Sequence, residues 1–228
     1  MKSKILFPFL VLLASINLQA QYIELQSGFA FASGNFSNSN LSKSESGFAK
    51  SGTIQGLSLA YLITEKVGIC GKINYSQYGF NTADFSEQNN ETAFPGITLS
   101  VATSEKFKAS SALTGVYVSL GKNNFTVDLK LLVGFMQLAT PRLEYISTFN
   151  GTTNIRIVES NNDGAAAIGY GISAKYAFPK NIYLTINLDN LNATMRYPSN
   201  GLTTSNIIES EKPFQAYWLT LGLGYAIQ

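Results

Sequence analysis

The chain has 228 residues, a formal net charge of +2, 13% charged and 12% aromatic residues, and 19 glycines. The charged fraction is about half the ~25% of an average soluble domain, so little charge is available to cover a water-facing surface, and the near-neutral balance speaks against a nucleic-acid partner. There is no histidine and only one cysteine, Cys70, which excludes Ser-His-Asp and Cys-His catalysis, an intrachain disulfide and the usual mixed His metal sites.

The chain opens on a basic stretch, Met1 to Lys4, followed by an apolar run from Ile5 to Ile16 and the small-residue end Leu18-Gln-Ala20. This is the pattern of a secretory signal peptide, with cleavage expected after Ala20. The apolar run falls short of the ~20 residues a membrane-spanning helix needs. Residues 21–228 suit one domain, and Cys70 reads as a small wall residue.

From Tyr22 onward, segments with a period of two recur. The first runs from Tyr22 to Gly34, with Ile23, Leu25, Phe29 and Phe31 on one face. The second, about Thr53 to Thr64, carries Leu57, Leu59, Tyr61 and Ile63; the third, about Lys66 to Phe80, carries Val67, Ile69, Ile73 and Tyr75. The fourth is about Ser110 to Gly121, with Val116, Val118 and Leu120, and the fifth is Asn124 to Ala139, with Phe125 through Phe135 at alternate positions. The sixth is Gly164 to Phe178 and the seventh Asn181 to about Met195. The last, Gln215 to Gln228, places Tyr217, Leu219, Leu221, Leu223, Tyr225 and Ile227 on one face and mostly small residues on the other. Apolar rows with aromatics near both ends fit strands that face lipid. None of the rows carries Asp, Glu, Lys or Arg.

Short and long connections alternate. Thr64-Glu65-Lys66, Lys122-Asn123 and Pro179-Lys180-Asn181 are tight, turn-rich links, whereas 35–52, 81–109, 140–163 and 196–214 are long and polar. An even number of amphipathic strands with this asymmetry predicts an all-β fold, an eight-stranded antiparallel transmembrane up-and-down barrel with extracellular long loops. Closure leaves no sticky edge and no unpaired backbone in lipid. Within the third loop, Asn150-Gly151 between two β-rich runs is a hairpin signal, because a type I′ turn needs positive φ at both central residues; Asn200-Gly201 is a weaker second case. The strands are therefore expected to continue above the membrane, with an exposed sheet edge open to a partner strand as the sharper reading. The Ser/Asn run 33–46 reads as a low-complexity, mobile loop. Phe85, Phe94 and Phe107 in the second loop are expected to pack among the loops, with adhesive anchoring as the alternative.

The inward parity carries Glu24, Lys72, Asp128, Lys130, Lys175 and Asp189 among Gly, Ala, Ser and Thr. An eight-stranded barrel is just wide enough for side chains to fill, and buried charges must be paired. A salt-bridged plug is expected; the alternative is a gated polar path for ions or protons, but a selective pore more naturally shows an excess of one sign. Gly169, Gly171, Gly222 and Gly224 lie within strands and read as space for inward packing rather than as a phosphate loop.

The leader opening onto Gln21-Tyr22, the eight alternating segments and the closing Leu219-Thr-Leu-Gly-Leu-Gly-Tyr225 together resemble the small outer-membrane β-barrel proteins of the OmpA/OmpX kind, in particular the outer membrane beta-barrel or porin-family proteins of Bacteroidetes. The resemblance covers residues 21–228 and rests on pattern rather than on a catalytic motif. It implies a location in a bacterial outer membrane, reached through a cleaved signal peptide, and a last strand read by the barrel assembly machinery. The signal would be the row Tyr217, Leu219, Leu221, Leu223, Tyr225 and Ile227; because the chain closes on Ala226-Ile-Gln228, Tyr225 or Ile227 would supply the usual terminal aromatic or apolar residue. No peptidoglycan-binding domain is expected beyond it. Barrels of this size that modify lipid or cleave protein depend on a histidine, so the resemblance implies a non-enzymatic, monomeric member without cofactor or metal. Its expected partners are outer-membrane lipid and a protein or surface ligand at the loops. The expected role is envelope structure or surface interaction; the alternatives are a narrow channel for ions or small solutes, a soluble lipocalin-like carrier, and an accessory component of a secretion system.

Overall fold

The computed structural model describes residues 22–92, 96–122, 124–199 and 208–227. The leader, Phe94 and Asn200-Gly201 lie outside these residues. Among the described residues there are eleven strands: β1 Tyr22–Ala32, β2 Ala49–Leu62, β3 Val67–Phe80, β4 Ile97–Ser104, β5 Phe107–Lys122, β6 Phe125–Ala139, β7 Leu143–Phe149, β8 Thr152–Val158, β9 Asn162–Phe178, β10 Ile182–Ser199 and β11 Ile208–Ala226. Two helices, α1 Gly34–Ser37 and α2 Thr82–Thr92, lie in the first two long connections.

Eight strands close into an antiparallel barrel in the ring order β1-β2-β3-β5-β6-β9-β10-β11. These are the eight segments expected from the period of two. The first and last seal the ring in a continuous register from Tyr22↔Ala226 to Ala32↔Ala216. Every apolar row anticipated on the strands points outward: Leu25, Leu221 and Leu223 are among the most exposed large residues, and Glu24, Gln26 and Trp218 between them are buried. An apolar belt facing outward and a packed interior are what a strand barrel in lipid requires. Tyr217 and Tyr225 bracket Leu219, Leu221 and Leu223. Eight residues at about 3.4 Å each separate the two tyrosines by ~27 Å along the strand, about 21 Å in height at a tilt of ~40°, near the ~25 Å of an apolar belt. Aromatics gather near both ends of the belt: Phe29, Phe31, Tyr75, Phe135 and Tyr217 toward the long connections, and Phe125, Tyr176, Phe178 and Tyr225 toward the short ones.

The tight links are built as the residues dictate. Thr64 Oγ1 accepts the Val67 N–H at 3.0 Å, and Lys180 and Asn181 take positive φ, 68° and 63°. At the other end, Asn150 and Gly151 adopt φ 48° and 76°, the left-handed pair of a two-residue hairpin turn, and β7 pairs with β8 from Phe149↔Thr152 to Leu143↔Val158.

Three expectations are corrected here. The run 33–46 contains α1, whose Phe36 is buried, and hydrogen bonds from Gly47 N–H to Asn35 O at 2.9 Å and from Phe48 N–H to Asn38 O at 3.0 Å secure its return. The second long connection contains α2 and β4. β4 joins the predicted hairpin as a separate sheet ordered β4-β7-β8. Finally, Phe107 is not a loop residue: it opens β5 and is buried in the barrel mouth, while Phe85 packs between Phe48, Phe80 and Tyr145.

Candidate functional site: the lumen and the mouth cavity

Side chains of inward parity fill the barrel in layers. At the short-turn end Lys175 Nζ lies 4.2 Å from the Tyr22 ring centre and 5.8 Å from that of Tyr117, and Tyr183 packs 6.0 Å from Tyr22. Lys175 also pairs with Asp128 at 2.8 Å, a diagonal contact between adjacent β9 and β6.

The middle layer brings the other four singled-out charges together. Lys72 on β3 reaches Asp189 on β10 at 2.5 Å. These strands are four places apart in the ring, so the bridge crosses the lumen. Asp189 also faces Lys130 at 3.8 Å. Lys130 donates to Asn187 Oδ1 at 2.9 Å, and the Asn187 amide donates to Glu24 Oε1 at 2.8 Å. Glu24 thus joins the network through an asparagine rather than through a lysine. Gln26 extends it to Asn74 at 2.7 Å. Three carboxylates and three lysines sum to zero, which is the condition for keeping charge in a dry interior.

The strand glycines fit this arrangement. A Cβ at Gly171 would lie 1.9 Å from Asp189 Oδ1, and one at Gly222 would lie 2.2 Å from Glu24 Oε1 and 2.3 Å from Thr185 Oγ1. Gly171 stands in register with both Asp189 and Lys130, so its bare backbone is the floor over which the two side chains meet. Gly222 lets Glu24 cross β11 toward Asn187.

The upper lumen departs from the sequence reading. It is apolar, not polar: Trp218, Tyr78, Leu132, Met136, Leu191 and Met195 are buried there. Trp218 Nε1 donates to the Tyr78 hydroxyl at 2.8 Å. Phe36 descends from α1 onto this layer, with ring centres 5.3 Å from Tyr78, 5.2 Å from Phe107 and 4.7 Å from Phe214. The only signal in sequence was a single aromatic within a Ser/Asn run, and no local rule assigns it to a lumen.

Above Phe36 the barrel opens. β9 and β10 stay paired only up to Ala167↔Ala193, whereas β10 continues with β11 to Ser199↔Ile208 and β9 continues with β6 to Asn162↔Ala139. A cavity of about 750 Å³ occupies the mouth. Phe36, Phe48, Phe80, Phe85, Phe107 and Phe214 form its aromatic wall, and Lys43, Arg156 and Lys212 reach it from three different segments. Of its two acids, Glu159 is paired with Arg142 at 3.4 Å, and Glu45 accepts from the Asn35 amide. No cluster of three or more metal-ligating side chains occurs among the described residues.

The β4-β7-β8 sheet stands at the same end. Its two edges differ. Asn90 and Ser86 of α2 cover β4: the Asn90 amide donates to Leu99 O at 2.9 Å, Asn90 Oδ1 accepts the Leu99 N–H at 2.5 Å, and Ser86 Oγ accepts the Val101 N–H at 3.1 Å. The outer edge of β8 meets no other strand among the described residues, and Ile155 and Ile157 on it are exposed.

No family model and no curated protein matches this chain. Among solved structures, the chain is similar to several small outer-membrane β-barrels. Neisserial surface protein A is 12% identical with a TM-score of 0.46, over 90% of this chain and 96% of that one. Ail, the attachment invasion locus protein of Yersinia pestis, is 14% identical with a TM-score of 0.43, over 90% and 97%. A major outer membrane protein from Thermus thermophilus is 12% identical with a TM-score of 0.44, over 90% and 98%.

Proposed function

We propose that this protein is a non-enzymatic barrel of a bacterial outer membrane that anchors a surface-interaction platform. Its short turns face the periplasm and its long connections face outward. The observation that carries the reading is the contrast between the two halves of the interior and the exterior sheet. Paired charges and stacked rings occupy the lumen from Tyr22 to Phe36, which supports a plug over a conducting path. What projects beyond it is a sheet with one edge covered by α2 and one edge that, among the described residues, pairs with no strand. A bare strand edge presents backbone donors and acceptors to an extended segment of another protein.

The purified barrel, shown to be folded by heat-modifiable gel migration, is expected to be silent in planar bilayers. Steady single-channel conductance would replace this reading with the channel alternative. Expressing cells that carry the intact hairpin are expected to adhere to host cells, to matrix or to a co-expressed envelope protein. Deletion of 143–158 is expected to abolish that adherence while leaving the barrel in the membrane. Equal adherence by the deletion variant would remove the sheet from the function. Recovery of the protein in the soluble periplasm without detergent would overturn the membrane location itself.

A further inference from the structure

Surface interaction leaves the mouth cavity without a task, and its chemistry is not that of the sheet edge. The volume of about 750 Å³ lies within the range of small-molecule sites. The wall is not a random apolar dent. Its rings form one connected set: Phe48 lies 5.1 Å from Phe85 and 6.0 Å from Phe80, Phe80 lies 6.1 Å from Phe107, and Phe36 joins Phe107 to Phe214.

One cation in this wall lacks a partner among the described residues. Lys212 belongs to the inward row of β11, two residues beyond Phe214, and no carboxylate lies within ion-pair distance of it. Lys212 is half-buried. A half-buried cation without a counter-ion is a ready partner for an anionic headgroup brought in by an apolar ligand. Lys43 and Arg156 add positive charge at the rim, whereas both acids there are engaged by Arg142 and Asn35.

We propose that the mouth cavity binds an amphipathic monoanion of the long-chain carboxylate class. The apolar body rests on the phenylalanine wall, and Lys212 takes the carboxylate. A neutral amphiphile of equal length would satisfy the rings and leave Lys212 unpaired.

The single tryptophan supplies a probe. Trp218 lies in the layer beneath the cavity, bonded to Tyr78, whose ring contacts Phe36 and Phe214. It points inward, away from lipid, so a brominated chain in the cavity quenches it and one dissolved in the bilayer does not. The test titrates a brominated long-chain fatty acid, and the matching brominated alcohol, into the barrel held in zwitterionic lipid nanodiscs. Saturable quenching by the acid is expected, with the alcohol weaker by about tenfold or more, the scale of a charge-assisted hydrogen bond. Lys212→Met is expected to abolish the difference between acid and alcohol, and Lys212→Arg to restore it. Each variant is first checked for heat-modifiable migration, and Lys43→Met serves as a rim control that alters the acid affinity by less than Lys212→Met. Equal affinity for acid and alcohol in the parent barrel overturns the headgroup assignment, and unsaturable quenching by a folded barrel overturns the site. Neither result bears on the sheet edge, whose adherence assay is independent.

Discussion

Replacing Asp189 by Asn is the most informative perturbation of the lumen. Asp189 is the carboxylate against which Lys72 lies at 2.5 Å and Lys130 at 3.8 Å. At an effective dielectric of about 20, those contacts carry gross attractions of about 7 and 4 kcal/mol. Most of this offsets the desolvation of three ions, so the gross figures are not the expected loss. The expected loss is that of leaving lysines buried without a counterion, about 3–5 kcal/mol. Asn keeps the shape, and its amide oxygen still accepts from one lysine, while its amide nitrogen faces the other as donor against donor. The six charges, which sum to zero, then sum to +1. In Lys72→Met with Asp189→Asn the sum returns to zero, and Lys130 remains linked to Glu24 through Asn187. The double variant is therefore expected to recover at least half of the loss. Urea unfolding in phosphatidylcholine vesicles, followed by Trp218 fluorescence and by gel migration, measures each variant. If the double variant loses the sum of the single losses to within about 0.5 kcal/mol, the two residues are not coupled and the network described here is wrong.

Other outcomes follow from the same geometry. Leu221→Arg or Leu131→Arg places a cation in the lipid-facing belt at a cost of about 2–4 kcal/mol near the midplane, and is expected to block membrane assembly. Ala167→Ser, on the inner wall, is expected to leave membrane levels unchanged; equal levels for all three variants would refute the assigned sidedness. Gly171→Ala sets a methyl 1.9 Å from Asp189 Oδ1 and is expected to destabilise the barrel by about 1–3 kcal/mol, the usual scale of overpacking; a neutral result in the urea assay would show that Asp189 can move. Phe36→Ala removes the ring that caps the apolar layer and is expected to cost about 3 kcal/mol. If stability were unchanged, α1 would not be part of the barrel's packing.

Much of the barrel was legible in one dimension because sidedness in a strand is local. Successive side chains alternate faces whatever the strand pairs with, so Leu219, Leu221 and Leu223 could be assigned to one side and Trp218, Thr220 and Gly222 to the other before any partner was known. The turn at Asn150-Gly151 was equally local, since positive φ at two adjacent positions is a property of those residues. The missed elements were those whose cause is remote. β4 carries a short alternation, Ile97, Leu99 and Val101 with Thr98 and Ser100 between them, but inside a long polar connection it names no sheet; its place is set by β7 on one edge and by Asn90 and Ser86 of α2 on the other. Phe36 looked like an isolated aromatic in a polar run because its partners, Tyr78, Phe107 and Phe214, lie 42, 71 and 178 positions away.

The candidate sites divide along the same line. Sequence by itself determined that Glu24, Lys72, Asp128, Lys130, Lys175 and Asp189 share the inward parity, and that their charges balance. It did not determine that Lys72 crosses the lumen to Asp189, that Lys175 stops at its neighbour Asp128, or that Glu24 is held by Asn187. Those contacts depend on the stagger between strands and on the ring order, which set the height of each side chain in the barrel. The mouth cavity depends on more still: the parting of β9 from β10 above Ala167, the descent of α1, and the inward placing of Lys212 on β11, the strand beside β10. Alternation belongs to the chain, whereas height and facing belong to the closed barrel.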